Sequence, residues 1–474
     1  MTEIPEAGSV GTRSPGEEAT RGDRAGDRRA LVNARIDRLP SWGLSRVVLV
    51  LFGLCYMASY FDIAVFGVTL PTMSEDLGLS GTQLALPVTA NLLGYVLGAF
   101  VLGRVADRLG RRPAMVGCIV SLATGSLLTA LSWNVESLMA FRLLVGVGVG
   151  AQLALSAIWI GEVAPSEKRG RYIAMCLIWA SFGNIVPGVL GVPLLDMPVH
   201  LGWRLLVGSA ALMALLLLFF RDSLLPESPR WLAVGGRLDE AEAVVDGMER
   251  RVARRTGEPL PEPRVVPAER VVDGFKVKEL FQGVLLRRTL TVFGFWTLFY
   301  VGAYGFVSYK TTLLHGLGMS LPNAVAMTAI GFSGGIVATL VQPFFVDRVE
   351  RKMLVATGLG IFAGALVLLA LAGNPALILL GDFIASGSIF FVATPAYAYT
   401  SEVFPTRARA SAMGVAFGVG HLGGAIQPFI VVPLLSGSGA RPVFWALAAS
   451  LTVSMVIMLT GVRTSRRSLA ELSQ

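Results

Sequence analysis

The chain has 474 residues, 54% of them hydrophobic and 15% charged, and a mean hydropathy of +0.65. That is too apolar and too poor in charge for an ordinary soluble domain, so a bilayer is the expected solvent. The formal net charge of +8 does not imply a nucleic-acid partner, because the cations are sorted to one side of the predicted crossings, as membrane topology demands.

Residues 1–45 are rich in Gly, Arg, Glu, Ser and Pro. They lack hydrophobic periodicity and predict a disordered tail, and no apolar core or cleavage site makes them a signal peptide. Twelve apolar stretches follow, each near the ~20 residues a helix needs to span ~30 Å of hydrocarbon. They predict crossings at 46–70, 84–104, 113–132, 136–160, 172–195, 203–220, 289–309, 323–346, 353–372, 375–399, 410–434 and 442–461. The chain therefore divides into a six-helix half at 46–221, a linker at 222–288, a second half at 289–462 and a tail at 463–474. In the linker, Leu238, Ala241, Val244, Val245, Met248 and Val252 recur at helical spacing, with acids early and Arg250, Arg251, Arg254 and Arg255 late, which predicts an amphipathic helix. The prolines from Pro259 to Pro267 predict irregular chain after it. Cys55, Cys118 and Cys176 lie in separate apolar stretches and read as small core residues.

Arginine and lysine crowd one set of loops: Arg104, Arg108, Arg111 and Arg112, then Lys168, Arg169 and Arg171, the linker, and Arg348, Arg351, Lys352, Arg407 and Arg409. The opposite loops carry little beyond Glu75, Asp76, His200, His315 and Arg441. This asymmetry predicts a multi-pass protein of the cell membrane with both termini and the linker in the cytoplasm.

An internal repeat appears at a constant offset of 240 residues. Asp107-Arg108 with Arg111-Arg112 recurs as Asp347-Arg348 with Arg351-Lys352, Glu162-Val163-Ala164-Pro165 as Glu402-Val403-Phe404-Pro405, and Arg169 as Arg409. Register kept over that span predicts two pseudo-symmetric six-helix halves in an all-α membrane protein, with a solute site between them near the midplane.

Several residues in this frame are candidates for function. Gly103, Asp107, Arg108, Gly110, Arg111 and Arg112 form a glycine turn with charges of both signs. It reads as a latch on the basic face: Asp107 is expected to accept from helix N-terminal amides of the other half, and the arginines to pair with Glu162. Arg169 and the repeat residues Asp347, Arg348, Arg351, Glu402 and Arg409 complete this expected gate; lipid anchoring is the plainer alternative. Ionisable groups within the membrane are the default functional candidates. Asp62 and Arg142 fall at similar depths in helices one and four and are expected to pair, either as a proton switch or as a static packing pair. Asp382, the repeat equivalent of Arg142, is read as a site for a proton or a cationic substrate, as a partner of His421, or as a structural cap. His421 sits mid-helix among glycines, with a packing role as its alternative. Asn91, Gln152, Asn184 and Gln427 suit either a cavity or interhelical hydrogen bonds. Gly146-Val147-Gly148-Val149-Gly150 reads as helix-packing surface, since no strand precedes it as a nucleotide loop requires.

These motifs carry a resemblance. The latch, Pro226-Glu227-Ser228-Pro229-Arg230-Trp231-Leu232 after helix six, and the Asp62 and Arg142 pair resemble the sugar-porter-like group of the major facilitator superfamily. Ala34-Arg35-Ile36-Asp37-Arg38-Leu39-Pro40 and Tyr399-Thr400-Ser401-Glu402-Val403-Phe404-Pro405-Thr406-Arg407-Ala408-Arg409 are most similar to its niacin and organic-ion branch. The resemblance implies the major facilitator fold, proton coupling through Asp62 and Arg142, and small aromatic or organic acids, or organic ions, as substrates. Three departures matter. The hexose porters' Gln-Gln-x-Ser-Gly-x-Asn is replaced by Leu298-Phe299-Tyr300-Val301-Gly302-Ala303-Tyr304, the Pro-Glu-Thr-Lys-Gly motif is missing after helix twelve, and Ser59 stands where the branch often has a second acid. Tyr300 and Tyr304 offer a flat-ring face in place of a sugar's amide partners. Lys310 and His315 near the end of helix seven are read as attracting an anion, or, for the lysine, as snorkelling to the interface.

The expectation is a secondary active transporter: proton-coupled symport of a small organic, aromatic acid, driven by the proton gradient with no cofactor or metal. The partners expected are a small-molecule substrate, protons and lipid, without nucleic acid, and the protein is taken as a monomer. Proton-driven efflux, sugar symport and a non-transporting sensor are the alternatives. With no nucleotide loop, metal cluster or nucleophile beside a base, the chain does not read as an enzyme.

Overall fold

The structure, a computed structural model, describes residues 15–221, 224–265, 277–346, 348–404 and 406–463. Twelve helices are long and apolar enough to cross a membrane: α1 (Arg46–Asp76), α2 (Gly81–Arg108), α3 (Arg111–Ala130), α4 (Val135–Val163), α5 (Ser166–Leu194), α6 (Val199–Phe219), α7 (Gly283–Gly316), α8 (Leu321–Val341), α9 (Arg351–Leu371), α10 (Pro375–Val403), α11 (Ala412–Ser438) and α12 (Ala440–Leu459). Each predicted crossing is present. Helix α7 starts earlier than its apolar run, at Gly283; its first turns carry Arg287 and Arg288, which donate to the Thr460 and Val403 carbonyls. Helix α6 tightens to 3-10 geometry over Ser209–Phe219.

Local chemistry sets the helix starts. Ser45 accepts from the Val47 amide, Asn134 from Ser137 and Asn374 from Leu377, each satisfying an amide that has no intrahelical partner. Gly110 makes the turn from α2 to α3 at φ 114°, a conformation closed to residues with a Cβ.

The two halves repeat their packing. In the first, α1 packs on α5, α2 on α4 and α3 on α4; in the second, α7 packs on α11, α8 on α10 and α9 on α10. The glycine run of α4 is packing surface, as its sequence predicts. A Cβ on Gly146 would lie 2.0 Å from the Asn91 carbonyl oxygen, and one on Gly98 would lie 2.1 Å from that of Val147. Between halves, α1 meets α7, α2 meets α11 and α5 meets α8. Close contacts gather toward the face opposite the chain ends, where Gly188 abuts Ala329 and Gly67 abuts the Val307 carbonyl. Among the described residues, hydrogen bonds from Thr89 Oγ1 to the Ala425 carbonyl at 2.9 Å and from the Tyr309 hydroxyl to that of Leu84 at 3.3 Å join the halves there.

The disorder expected across residues 1–45 is corrected over residues 15–45, while residues 1–14 lie outside the described residues. A helix spans Pro15–Asp37, and its Val32 and Ile36, with Leu39 and Trp42 beyond, are buried with Val245, Met248 and Val252 of the linker helix Leu238–Thr256. Arg28 pairs with Asp239 and Glu242, Arg35 with Asp246 and Glu249, and Arg38 with Glu249. Burial alone would raise the Glu249 carboxyl, but hydrogen bonds from Arg35 and Arg38 outweigh it and hold the group below the usual carboxylate range. The tail's own apolar content is too low to order it, and the amphipathic linker helix supplies the missing surface.

Candidate functional site

The loop between α2 and α3 has a geometry different from the expected latch. Arg111 pairs with Glu162 at 3.0 Å and with Asp107 at 2.7 Å. The helix-capping acid is not Asp107, whose side chain is 75% exposed. It is Glu227, which accepts from the backbone amides of Arg111 at 3.0 Å and Arg112 at 3.1 Å. Among the described residues Asp107 caps no helix of the other half; an acid from the segment after α6 occupies the positive end of α3. Trp231 donates to the Asp107 carbonyl, and Asp37 of the tail accepts from the Ser166 amide and pairs with Arg230 and Arg169. Desolvation and the neighbouring Arg169 push the Arg230 guanidinium down, and Asp37 offsets only part of this. A Cβ added at Gly103 would meet nothing within 4 Å, and Arg108 is exposed.

The repeat is kept in three dimensions, since Arg351 pairs with Glu402 at 3.1 Å, matching Arg111 with Glu162. Arg348 is exposed. Asp347 and the side chain of Arg409 lie outside the described residues, as do residues 464–474. Replacing Glu227 with Ala is expected to lower stability by about 1–2 kcal/mol, the worth of a charged cap on two amides, read by unfolding in a denaturing detergent. Asp107→Ala is expected to have less than half that effect, because an exposed ion pair contributes little.

Within the membrane, Asp62 of α1 and Arg142 of α4 form a two-pronged pair, with Arg142 Nη1 to Asp62 Oδ1 at 2.9 Å and Nη2 to Oδ2 at 3.1 Å. Both side chains are sealed, at 0% and 1% exposure, and Phe66 lies 4.3 Å beneath the guanidinium carbon. Arg142 Nε has no hydrogen-bond partner among the described residues. Beside it is a gap of about 10 Å³ bordered by Asn91, Tyr95, Tyr304 and Ser308, room for about one water molecule.

A cage of aromatic rings packs beside that gap, with Tyr95 and Tyr304 bordering both. Tyr95 of α2 lies 6.5 Å from Tyr304 and 5.5 Å from His421, ring centre to ring centre, and Tyr300 lies 4.7 Å from His421. His421 Nδ1 is 2.7 Å from the Phe417 carbonyl. A carbonyl only accepts, so Nδ1 carries the hydrogen, and in the neutral ring Nε2 accepts from the Tyr304 hydroxyl at 3.3 Å. Asn91 Oδ1 is buried without a hydrogen-bond partner among the described residues, with the Tyr95 hydroxyl beside the Asn91 side chain. The cage thus joins one ring from the first half to two tyrosines and a histidine from the second, with unspent polar atoms facing the same space.

Two other candidates stand apart. Gln152 donates to the Cys55 carbonyl at 3.0 Å, and Asn184 to that of Ala180 in its own helix; neither is joined to the cage. Asp382 is corrected in its partner. It pairs with Lys310 Nζ at 2.7 Å, with both side chains at most 1% exposed, and not with His421. Lys310 does not snorkel: it also donates to Ser386 Oγ at 2.9 Å and the Thr328 carbonyl at 3.2 Å, and lies 3.8 Å from the centre of the Phe332 ring. Arg142 and Asp382 sit seven residues into α4 and α10, so each half holds a buried pair between its first and fourth helices with the signs exchanged, although Lys310 lies at the repeat position of Leu70 and not of Asp62. A lysine and an aspartate in two apolar runs signalled this pair; Tyr95 carried no such signal, because the face α2 turns to α11 is set by packing.

The sequence matches the sugar (and other) transporter family over residues 49–474. This chain belongs to that family. It is a transporter of the major facilitator superfamily, a multi-pass membrane protein whose family moves small molecules and is not one of enzymes. Among its relatives, the niacin transporter NiaP of Acinetobacter baylyi is 26% identical, over 92% of this chain and 98% of that one. The 4-hydroxybenzoate transporter PcaK of Pseudomonas aeruginosa is 28% identical, over 91% and 95%. The fold is similar to that of the xylose transporter XylE from E. coli in its inward open conformation, with a TM-score of 0.71, 19% identity and coverage of 90% of this chain and 98% of that one.

Proposed function

We propose that this transporter is a proton symporter for a small aromatic carboxylic acid, in the cell membrane, with both termini and the linker in the cytoplasm. The observation that carries this reading is the sealed Asp62 and Arg142 pair bordering a one-water gap that Tyr95 and Tyr304 also line, with His421 packed against both rings. A flat ring matches those aromatic walls better than a hexose, which needs many amide and hydroxyl partners. A proton on Asp62 removes the charge that holds Arg142 and leaves its guanidinium for the substrate's carboxylate. Proton and anion then enter together without adding net charge to the membrane interior. Niacin and 4-hydroxybenzoate, named for two relatives, share a flat ring and a carboxyl group, which supports this class. The cation asymmetry of the loops supports the orientation. No cofactor takes part, and a single chain suffices, because the cage and the ion pair come from its own two halves.

The test is uptake of labelled nicotinate, benzoate and a hexose into proteoliposomes, with the proton gradient imposed or collapsed. Gradient-driven accumulation of an aromatic acid is expected in the parent. Asp62→Asn should lose at least ~10-fold of that accumulation while still exchanging substrate across the membrane. Undiminished accumulation by Asp62→Asn would falsify the coupling role, and accumulation of the hexose in place of the acids would overturn the substrate class.

A further inference from the structure

A second cavity, of about 510 Å³, lies at the basic-face ends of α1 and α5, well away from the cage. Four cations line it, Arg46, Lys168, Arg171 and Arg255, and no carboxylate does. Two of the four are committed: Lys168 donates to the Pro40 carbonyl, and Arg255 to Ser41 and the Trp42 carbonyl. Arg46 and Arg171 are exposed and have no hydrogen-bond or ion-pair partner among the described residues. Trp42, Tyr172 and Trp179 complete the wall. Beside the cations lies an apolar shelf, with Val47 48%, Val50 43% and Met175 44% exposed.

We propose that this cavity binds the headgroup of an anionic phospholipid. A cluster of cations without a counter-charge recruits an anion, and basic pockets between crossing helices suit phosphorylated headgroups. The apolar shelf selects the lipid over a soluble anion, because an amphiphile covers both surfaces and a small acid covers only one. Tryptophan and tyrosine at this level match the boundary between headgroup and hydrocarbon. The walls come from three separate pieces of chain: the tail segment at Pro40 to Trp42, the helix ends, and Arg255 of the linker helix. A bound headgroup therefore ties the tail and linker to the foot of the first half. This proposal does not depend on which solute is carried.

The test uses the purified full chain in neutral detergent, with phosphatidylglycerol, phosphatidylcholine, inorganic phosphate and nicotinate as separate probes. Lipid retention by native mass spectrometry and the thermal midpoint are both read. One phosphatidylglycerol is expected to be retained by the parent and to raise its midpoint, with phosphatidylcholine inert. Arg46→Gln/Arg171→Gln should bind it roughly 25-fold more weakly, at about fivefold for each cation lost, while Arg251→Gln on the exposed side of the linker helix keeps parental affinity. If the double variant does not fold, Arg46→Lys and Arg171→Lys, which keep the charge, should retain the lipid, and each single glutamine variant should lose about fivefold. Unchanged lipid binding in the glutamine variants overturns the site. Equal protection by phosphate or nicotinate, abolished by the same variants, overturns the lipid assignment.

Discussion

Removing either member of the Lys310 and Asp382 pair alone is expected to destabilise the protein by about 3–5 kcal/mol, and removing both is expected to restore most of that loss. The pair is sealed, at 1% and 0% exposure, so a lone charge left there has no water to return to. The two single losses should differ. After Asp382→Leu, the Lys310 ammonium still donates to Ser386 and the Thr328 carbonyl and faces the Phe332 ring. After Lys310→Met, Asp382 keeps only a 3.5 Å contact with Ser386, and its Oδ2 already lacks a partner. Lys310→Met is therefore the costlier change. Leucine repeats the branched outline of aspartate and methionine the length of lysine, so the double variant refills the space with apolar atoms. Unfolding in a denaturing detergent measures all three; losses that simply add would sink the claim of coupling. Lys310 and Asp382 do not border the gap beside Arg142, so the double variant is also expected to keep gradient-driven uptake. Loss of uptake at full stability would instead make Asp382 part of the transport path.

Gly146→Val should be as damaging by a different route. The α2 and α4 backbones touch at this point, and any Cβ would overlap the Asn91 carbonyl oxygen at 2.0 Å and press on the Gly94 Cα at 2.9 Å. Those are backbone atoms that cannot rotate aside, so the helices must part, at a cost of about 3 kcal/mol or more. The displacement also separates functional parts: α2 carries Asn91 and Tyr95, and α4 carries Arg142. Uptake is expected to fall more than stability alone explains, because a shift of about 1 Å in a positioned group is worth on the order of 100-fold in rate. Gly364→Ala in α9 is the control. Nothing lies within 4 Å of its added carbon, and it should be neutral or stabilise by up to about 1 kcal/mol. Wild-type stability and uptake in Gly146→Val would show that α2 and α4 do not pack this closely.

Much of this molecule is legible without coordinates. Crossing length, the 240-residue repeat and the sorting of arginine and lysine to one set of loops are properties of composition and spacing, and they follow from the thickness and chemistry of the bilayer. The pairing of Asp62 with Arg142 was readable for a related reason: few charges lie within the membrane, and two of opposite sign at similar depth are strongly driven to meet. The glycine run of α4 was readable because small residues in a crossing helix mark close approach.

Only the tertiary structure decided which partner each remaining group takes. Asp382 had His421 and Lys310 within reach by depth, and the rotation of α7 against α8 and α10 chose the lysine. Glu227, not Asp107, lies on the α3 amides, because the chain after α6 returns to that helix end. The tail helix has too little apolar surface to fold alone and is ordered by the linker helix, whose own sequence gives no sign of what covers it. Lipid tails are as apolar as a packed helix interface, so hydrophobic periodicity in a crossing helix does not tell its lipid side from its buried side. Length and charge placement survive that ambiguity and fix the architecture from sequence; the facing of Tyr95, Tyr304 and His421 toward one another does not, and it is set by packing between helices far apart in the chain.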